Sequence, residues 1–120
     1  MKIIVAGAGA FGIKHLDALR NIKGVEVIAL VGRQLEPTRE TAGTYGIPHT
    51  FTELGEALVL KGVDAAILCT PTQMHAAQAI ECMQAGVHVQ VEIPLADSLA
   101  DAEAVNRVQK ETGLICMVGH

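Results

Sequence analysis

Short runs of consecutive apolar residues alternate along this chain with longer segments in which apolar residues recur every three or four positions. Consecutive runs are typical of strands buried on both faces, and the longer period is typical of helices packed on them. The pattern predicts strands at residues 2–7, 25–31, 48–51, 63–69, 87–91 and 114–118. It predicts helices at residues 11–22, 36–45, 53–60, 73–85 and 98–112.

Five glycines each end a polar or helical stretch and are each followed by Val, Ile or Leu at the start of an extended run: Gly24, Gly46, Gly62, Gly86 and Gly113. A left-handed glycine commonly follows the end of a helix. Helix starts are marked too, because Thr72 is predicted to cap the fourth helix and Ser98 with Asp101 resembles a capping box for the fifth. Met74 and Met83 share the apolar stripe of the fourth helix, so both are predicted to lie in the core.

Strict alternation of strands and helices predicts right-handed crossovers and a parallel sheet. Six strands with a glycine turn after the first predict a Rossmann-type doubly wound α/β domain, residues 1–120, with strand order 3-2-1-4-5-6 and helices on both faces. Ligands bind such folds at the carboxyl ends of the strands. The segments expected at that edge are Gly7–Gly12, Gly32–Arg33, Cys69–Thr72, Glu92–Pro94 and Gly119–His120.

The turn after the first strand carries a glycine motif made of Gly7, Ala8, Gly9, Ala10, Phe11 and Gly12. In a strand–turn–helix context, Gly7 permits the tight turn, Gly9 lets a diphosphate approach the backbone, and Gly12 lets the helix lie close to the strand. The free N–H groups at the helix start favour an anion. The motif therefore predicts a dinucleotide site, the alternative being a purely structural turn.

Composition narrows the class of partner. Hydrophobic residues make up 50% of the chain, yet its aromatic residues are only two Phe and one Tyr, so aliphatic side chains must form the core. A net charge of −4 with no basic run argues against nucleic acid or an anionic membrane as a partner. Cys69, Cys82 and Cys116 are far apart and are predicted to be reduced, apolar side chains rather than a disulfide or metal set. No metal site is expected, and the expected location is cytoplasmic.

The end of the second strand indicates which dinucleotide is bound. An NAD site usually has an acidic residue there, about 20 residues past the glycine turn, to hold the ribose hydroxyls. This chain has Gly32 and Arg33 instead. Arg33 carries a planar cation suited to a 2′-phosphate, and Gly32 leaves room for it. The prediction is NADP, with NAD as the weaker alternative; an arginine that is merely solvated is the competing interpretation.

Histidines and a glutamate complete the set of candidate site residues. Glu92, at the carboxyl end of a buried strand, needs a partner, and ribose hydroxyls would serve. His75 either faces the cofactor or bonds locally, and His120 either lies near the nicotinamide or has no fixed partner. His15 is expected at the surface. A cis peptide bond before Pro94 is a further prediction, because the chain turns sharply there.

Three features together resemble the Gfo/Idh/MocA family (glucose–fructose oxidoreductase, inositol dehydrogenase and rhizopine-catabolism enzymes). They are the glycine turn, Thr70-Pro71 followed by His75, and Glu92-Ile93-Pro94. The resemblance spans the whole chain as the family's N-terminal domain and implies hydride transfer between a nicotinamide and a small-molecule substrate. It also implies a second, mostly β domain beyond this chain that carries much of the substrate site and the contacts of a homo-oligomer. The residues predicted to lie beside the cofactor in this half are Cys69, Thr70, Pro71, His75, Glu92, Ile93 and His120.

One position departs from the family pattern: Ile93 stands where a lysine near the reacting hydroxyl is usual. Because isoleucine cannot donate a hydrogen bond, this departure argues against the sugar-alcohol chemistry common in the family. Segments 69–75, 89–97 and 116–120 resemble a branch that acts in aromatic-acid breakdown, which implies NADP-linked oxidation of a cyclic hemiacetal. The alternatives are a dehydrogenase of a sugar or inositol, a non-catalytic nucleotide-sensing or coenzyme A module, and a structural domain with an empty site. The catalytic base is not identified, and the chain alone is expected to bind cofactor without turnover.

Overall fold

The computed structural model of the chain describes residues 1–119, over which strands and helices alternate strictly. The strands are β1 (Lys2–Ala6), β2 (Glu26–Val31), β3 (His49–Phe51), β4 (Ala65–Leu68), β5 (His88–Val91) and β6 (Cys116–Val118). The helices are α1 (Ala10–Leu19), α2 (Leu35–Tyr45), α3 (Leu54–Leu58), α4 (Thr72–Gln84) and α5 (Leu99–Thr112). Every predicted element is confirmed, and most are shorter than predicted. Within the described residues, no helix combines the length and apolar character needed to cross a membrane.

The strands form a single parallel sheet in the order β3-β2-β1-β4-β5-β6, as predicted. Side chains alternate between the two faces of a strand, so β1 contributes to two separate apolar clusters. Ile4 and Ala6 lie in one cluster, and Ile3 and Val5 lie in the other. Burial on both faces explains why the central strands are unbroken apolar runs.

Helices cover both faces of the sheet. Leu16 of α1 and Ala42 of α2 are buried in the cluster that contains Ile3 and Val5. Helices α3, α4 and α5 cover the opposite face, where their buried residues include Leu54, Met83 and Val105. The first glycine turn therefore lies at the middle of a two-sided core, which holds the ends of β1, β2 and β4 in fixed relation.

Five glycines have the predicted left-handed backbone, with φ from +69° to +83°. Gly46 and Gly113 are the C-caps of α2 and α5, and Gly86 directly follows the C-cap of α4. Gly24 and Gly62 come several residues after the last residues of α1 and α3. The interpretation of these glycines as left-handed helix caps was therefore wrong for Gly24 and Gly62, which form separate turns before β2 and β4.

Two predictions about helix residues were wrong. Helix α4 begins at Thr72 itself, so Thr72 lies in the first turn and does not cap it. Met74 is 43% exposed because the first turn of α4 borders an open crevice, whereas Met83 is buried as predicted. The cap of α5 is confirmed, since the Ser98 side chain accepts a hydrogen bond of 3.1 Å from the backbone N–H of Asp101.

Candidate functional site

The turn between β1 and α1 excludes side chains at two of its glycines. Gly7 has φ +107°, and a Cβ there would lie 2.5 Å from the carbonyl oxygen of Cys69. A Cβ at Gly12 would lie 1.8 Å from the carbonyl oxygen of Gly7. Both distances are well below van der Waals contact, and the opposing atoms are backbone. The tight turn at Gly7 and the close approach of α1 at Gly12 are as the motif predicted.

Gly9 has a different environment from the other two glycines. Among residues 1–119, no atom would lie within 4 Å of a Cβ there. Gly9 is also the N-cap of α1, and no side chain caps the helix. The free N–H groups of the first turn and the open space beside them suit an anionic group that approaches the backbone closely.

A crevice of about 610 Å³ adjoins this turn at the carboxyl ends of β1 to β4. Its volume lies within the range of about 300–1,000 Å³ that is typical of small-molecule sites. The predicted residues that line it are Gly7, Ala8, Gly9, Gly32, Arg33, Cys69, Thr70 and Pro71. Predicted residues outside the lining are Ala10, Phe11, Gly12, His75, Glu92 and Ile93. The remaining predicted residue, His120, lies outside the described residues.

Two opposite charges lie on the rim of the crevice near β2 and β3. Arg33 is exposed, and the ion pairs within residues 1–119 do not include it. Glu53, which sequence reasoning missed, lines the same crevice. Gly32 has a role other than the expected one: a Cβ there would lie 2.1 Å from Oγ1 of buried Thr38, so Thr38 occupies the space that Gly32 leaves.

His75 joins the two loops that follow β4 and β5. The side chain is buried, with Nδ1 2.9 Å from the carbonyl oxygen of Pro94 and Nε2 2.6 Å from that of Thr70. Carbonyl oxygens only accept hydrogen bonds, so a neutral imidazole can donate to one of them and an imidazolium to both. Of the two roles that the sequence left open, local bonding is the one that this geometry supports.

Glu92 has a partner within the chain. Its Oε1 is hydrogen-bonded to Nε2 of His15, and the two side chains are only 13% and 20% exposed. The prediction that His15 lies at the surface was therefore wrong. The signal was its position three residues after Gly12, which places both on the same side of α1, toward the sheet. The pair ties the first helix to the end of β5.

The Cys69 thiol lies beside this pair. Its sulfur and one potential ligand atom each from His15 and Glu92 are within 4.8 Å of one another. Burial, with a contribution from the negative charge of Glu92, raises the pKa of Cys69 to about 12. Burial also raises the pKa of Cys82 to about 12 and raises that of Cys116. These thiols therefore stay protonated at neutral pH, which agrees with their predicted apolar character.

Other parts of the edge were only partly predicted. The Ile93–Pro94 peptide bond is cis, as predicted, and the Ile93 side chain is 55% exposed. Thr70 Oγ1 donates a 2.5 Å hydrogen bond to Oε1 of Gln78, which also lines the crevice. Gln78 was missed because nothing in the local pattern of α4 marks it as part of a site.

Comparison with known proteins agrees with this geometry. The family described as "Oxidoreductase family, NAD-binding Rossmann fold" (GFO_IDH_MocA) matches residues 1–120. A relative from Sphingobium sp., 4-carboxy-2-hydroxymuconate-6-semialdehyde dehydrogenase, is 64% identical over 120 residues, which are 100% of this chain and 38% of that protein. The scyllo-inositol 2-dehydrogenase (NAD(+)) of Bacillus subtilis is 34% identical over 121 residues, covering 99% of this chain and 35% of that protein.

A solved structure is also similar. The probable dehydrogenase from Thermotoga maritima superposes with a TM-score of 0.95 at 28% identity, covering 99% of this chain and 36% of that one. The chain thus spans little more than a third of the length of the relatives that it matches.

Proposed function

Since the chain belongs to the Gfo/Idh/MocA oxidoreductase family and forms its NAD-binding Rossmann domain, we propose that it is the NADP-binding domain of a dehydrogenase for 4-carboxy-2-hydroxymuconate-6-semialdehyde. The substrate is oxidised as its cyclic hemiacetal to 2-pyrone-4,6-dicarboxylate. The observation that carries the proposal is 64% identity, along the entire chain, to a dehydrogenase of that name. A bound nicotinamide would supply the hydride acceptor. The hemiacetal hydroxyl would release its proton to a base, a role for which the described residues offer no identified group.

The glycine turn is the part of the chain that would bind the diphosphate of the cofactor. Gly9 presents backbone with open space beside it, and the uncapped start of α1 offers N–H donors. Glu92 would hold ribose hydroxyls at the other side of the switch between β1 and β4. His15 bonds one oxygen of that carboxylate, and the hydrogen bonds among residues 1–119 do not use the other, which can therefore accept from a ribose hydroxyl.

Ile93 supports the choice of substrate class. A half-exposed isoleucine beside the glutamate can neither donate a hydrogen bond nor take up a proton. A hemiacetal is oxidised more easily than a secondary alcohol, so a donor at that position matters less for it. The proposal includes a second domain in the full-length enzyme, which would carry substrate contacts and the surfaces for self-association. It also includes a cytoplasmic location.

The preference for NADP is proposed from Arg33, an exposed cation on the crevice rim at the end of β2. A 2′-phosphate carries up to two negative charges and gains charge-assisted hydrogen bonds from a guanidinium. Glu53 on the same rim favours the second candidate, NAD, because a carboxylate accepts from ribose hydroxyls and repels a phosphate. Arg33 thus favours NADP and Glu53 favours NAD, and one experiment distinguishes between the two cofactors.

That experiment titrates NADPH and NADH, with coenzyme A as a non-nicotinamide control, into wild type, Arg33→Ala and Glu53→Gln by fluorescence. Arg33→Ala should weaken NADPH binding by about tenfold and leave NADH binding unchanged. The matched control is Arg39→Ala, which removes an exposed arginine paired with Glu36 at 3.2 Å. Unchanged NADPH affinity in Arg33→Ala, with weaker NADH binding in Glu53→Gln, would instead assign NAD.

The substrate is tested with the full-length enzyme. The ring-cleavage semialdehyde and a set of inositols and sugars are compared by the rate of NADPH formation. We expect the semialdehyde to have the highest kcat/KM of the compounds compared. If only inositols or sugars react, the enzyme is instead a polyol dehydrogenase like its 34% identical relative.

A further inference from the structure

Three side chains at the carboxyl edge of the sheet bring together the three ligand types that zinc uses most. His15 comes from α1, Cys69 follows β4, and Glu92 follows β5. One potential ligand atom from each lies within 4.8 Å of the other two, and all three residues are partly buried. Residues so far apart in sequence meet here because β4 lies directly beside β1 in the sheet and β5 is the next strand after it.

We propose that His15, Cys69 and Glu92 form a site for a thiophilic divalent cation, Zn²⁺ above all, whose occupancy excludes the dinucleotide. Imidazole, thiolate and carboxylate are all zinc ligands, at about 2.0–2.3 Å, and three protein ligands leave one position for water. Thiolate and imidazole donors select zinc over Mg²⁺ and Ca²⁺, which prefer oxygen.

Ligand atoms of a tetrahedral zinc lie roughly 3.3–3.6 Å apart, as follows from its bond lengths. The three candidate ligand atoms lie within 4.8 Å of one another, which is close to that spacing. The hydrogen-bonded atoms of His15 and Glu92 lie closer together than this and must separate to admit an ion between them. On binding, the Cys69 S–H bond breaks, a sulfur–zinc bond forms, and the proton passes to solvent.

Access to the site follows from the position of Cys69 at the end of β4. The site is reached from solvent, since Cys69 lines the crevice.

Competition with the dinucleotide rests on the proposed function. An ion held by Glu92 would withdraw the carboxylate proposed to hold a ribose, and it would lie next to the glycine turn. A Cβ at Gly7 would be only 3.1 Å from the Cβ of Cys69, which shows how near the thiol is to that turn. Zinc and NADPH should therefore bind in a mutually exclusive way.

Metal binding is tested without any dinucleotide. Zn²⁺ is titrated calorimetrically into the chain, and Co²⁺ is added separately to look for thiolate-to-cobalt charge-transfer absorption. Wild type should bind one ion per chain and show the band. Cys69→Ser should lose the band and bind Zn²⁺ at least about tenfold more weakly, since even outer partners of a metal site are worth that much. His15→Ala should weaken binding similarly. The control is Cys116→Ser, which removes another partly buried thiol, on β6.

The site does not exist if wild type binds no zinc, if the cobalt band is absent, or if Cys69→Ser and His15→Ala bind as wild type does. The competition is measured by titrating NADPH at saturating Zn²⁺. The affinity for NADPH should fall at least tenfold, which corresponds to about 1.4 kcal/mol of binding free energy. NADPH affinity unchanged by zinc, with metal binding intact, would overturn the exclusion while leaving the proposed cofactor site standing. Loss of NADPH binding in zinc-free protein would instead contradict the proposed function.

Discussion

Gly12 and Gly9 belong to the same turn, but replacing each with alanine should have opposite consequences. A Cβ at Gly12 would lie 1.8 Å from a backbone oxygen. Ordinary van der Waals contact begins at 3.4 Å, so this distance is about 1.6 Å too short. The clash involves no side chain that could rotate away, so α1 must move off the turn. Overpacking of this kind costs about 1–3 kcal/mol even in cores that can relax. We expect Gly12→Ala to lower the free energy of unfolding by about that amount and to weaken cofactor binding as well.

Gly9→Ala is the matched substitution. Gly9 has φ −81° and ψ −163°, which alanine adopts freely, and its Cβ would face open space. The stability of the cofactor-free chain should therefore change by less than about 1 kcal/mol, the cost of a poorer N-cap. The same Cβ would intrude where the diphosphate is proposed to approach, so NADPH affinity should fall at least about fivefold.

Urea denaturation and NADPH fluorescence titration measure the two quantities on the same samples. A Gly12→Ala chain as stable as wild type would show that a Cβ at Gly12 causes no clash with the turn. Unchanged NADPH affinity in a Gly9→Ala chain that folds normally would show that the diphosphate does not approach the backbone at Gly9. Equal losses of stability in both variants would mean that the turn tolerates no side chain at all, and that open space beside Gly9 carries no information about a ligand.

Two further predictions concern buried groups near the sheet. His75→Ala would leave the carbonyl oxygens of Thr70 and Pro94 without their hydrogen-bond partner and would open a cavity. Urea denaturation should therefore show a loss of about 2–4 kcal/mol in the free energy of unfolding, part of which His75→Gln should restore. Burial raises the pKa of Cys82 to about 12, against about 8.5 in an unfolded chain. Its neutral thiol therefore contributes stability that is complete below pH 8.5 and is lost as the pH rises toward 12. The urea midpoint should decrease less between about pH 8 and about pH 10.5 in Cys82→Ala than in wild type. An equal decrease in the two proteins would contradict this prediction.

The fold was predictable because its signals are local. The apolar runs mark the strands, and the glycines between them mark the turns. Their strict alternation leaves few topologies open. Errors arose where the same sequence signal is compatible with two structures. A glycine before an apolar run can cap a helix or form a separate turn, and Gly24 and Gly62 have left-handed backbone without ending a helix. Met74 has the spacing of a core residue but borders the crevice.

The polar contacts of the site were less predictable, because they join residues distant in sequence. His15 and Glu92 are 77 residues apart, and nothing near either one indicates the other. Glu53 follows the short strand β3, and its place on the rim depends on where that strand ends. Arg33 and the glycine turn were found because a known motif assigns a role to those positions, whereas no motif in the prediction covered His15 or Glu53.

A glycine at the carboxyl edge of a sheet either makes room for another part of the protein or leaves space for a ligand, and the structure shows which of the two applies at each position. At Gly12 and Gly32 the space of the missing side chain is filled by the protein itself, by a backbone oxygen in one case and by Thr38 in the other. At Gly9 the space is open. For Gly9 and Gly12 this agrees with the separate roles that the motif predicts, whereas Gly32 was expected to leave room for a ligand. Because the protein fills the space at Gly12 and Gly32, Gly9 is the one of these three beside which an anion can approach the backbone, and the diphosphate is therefore expected against Gly9 and the first turn of α1.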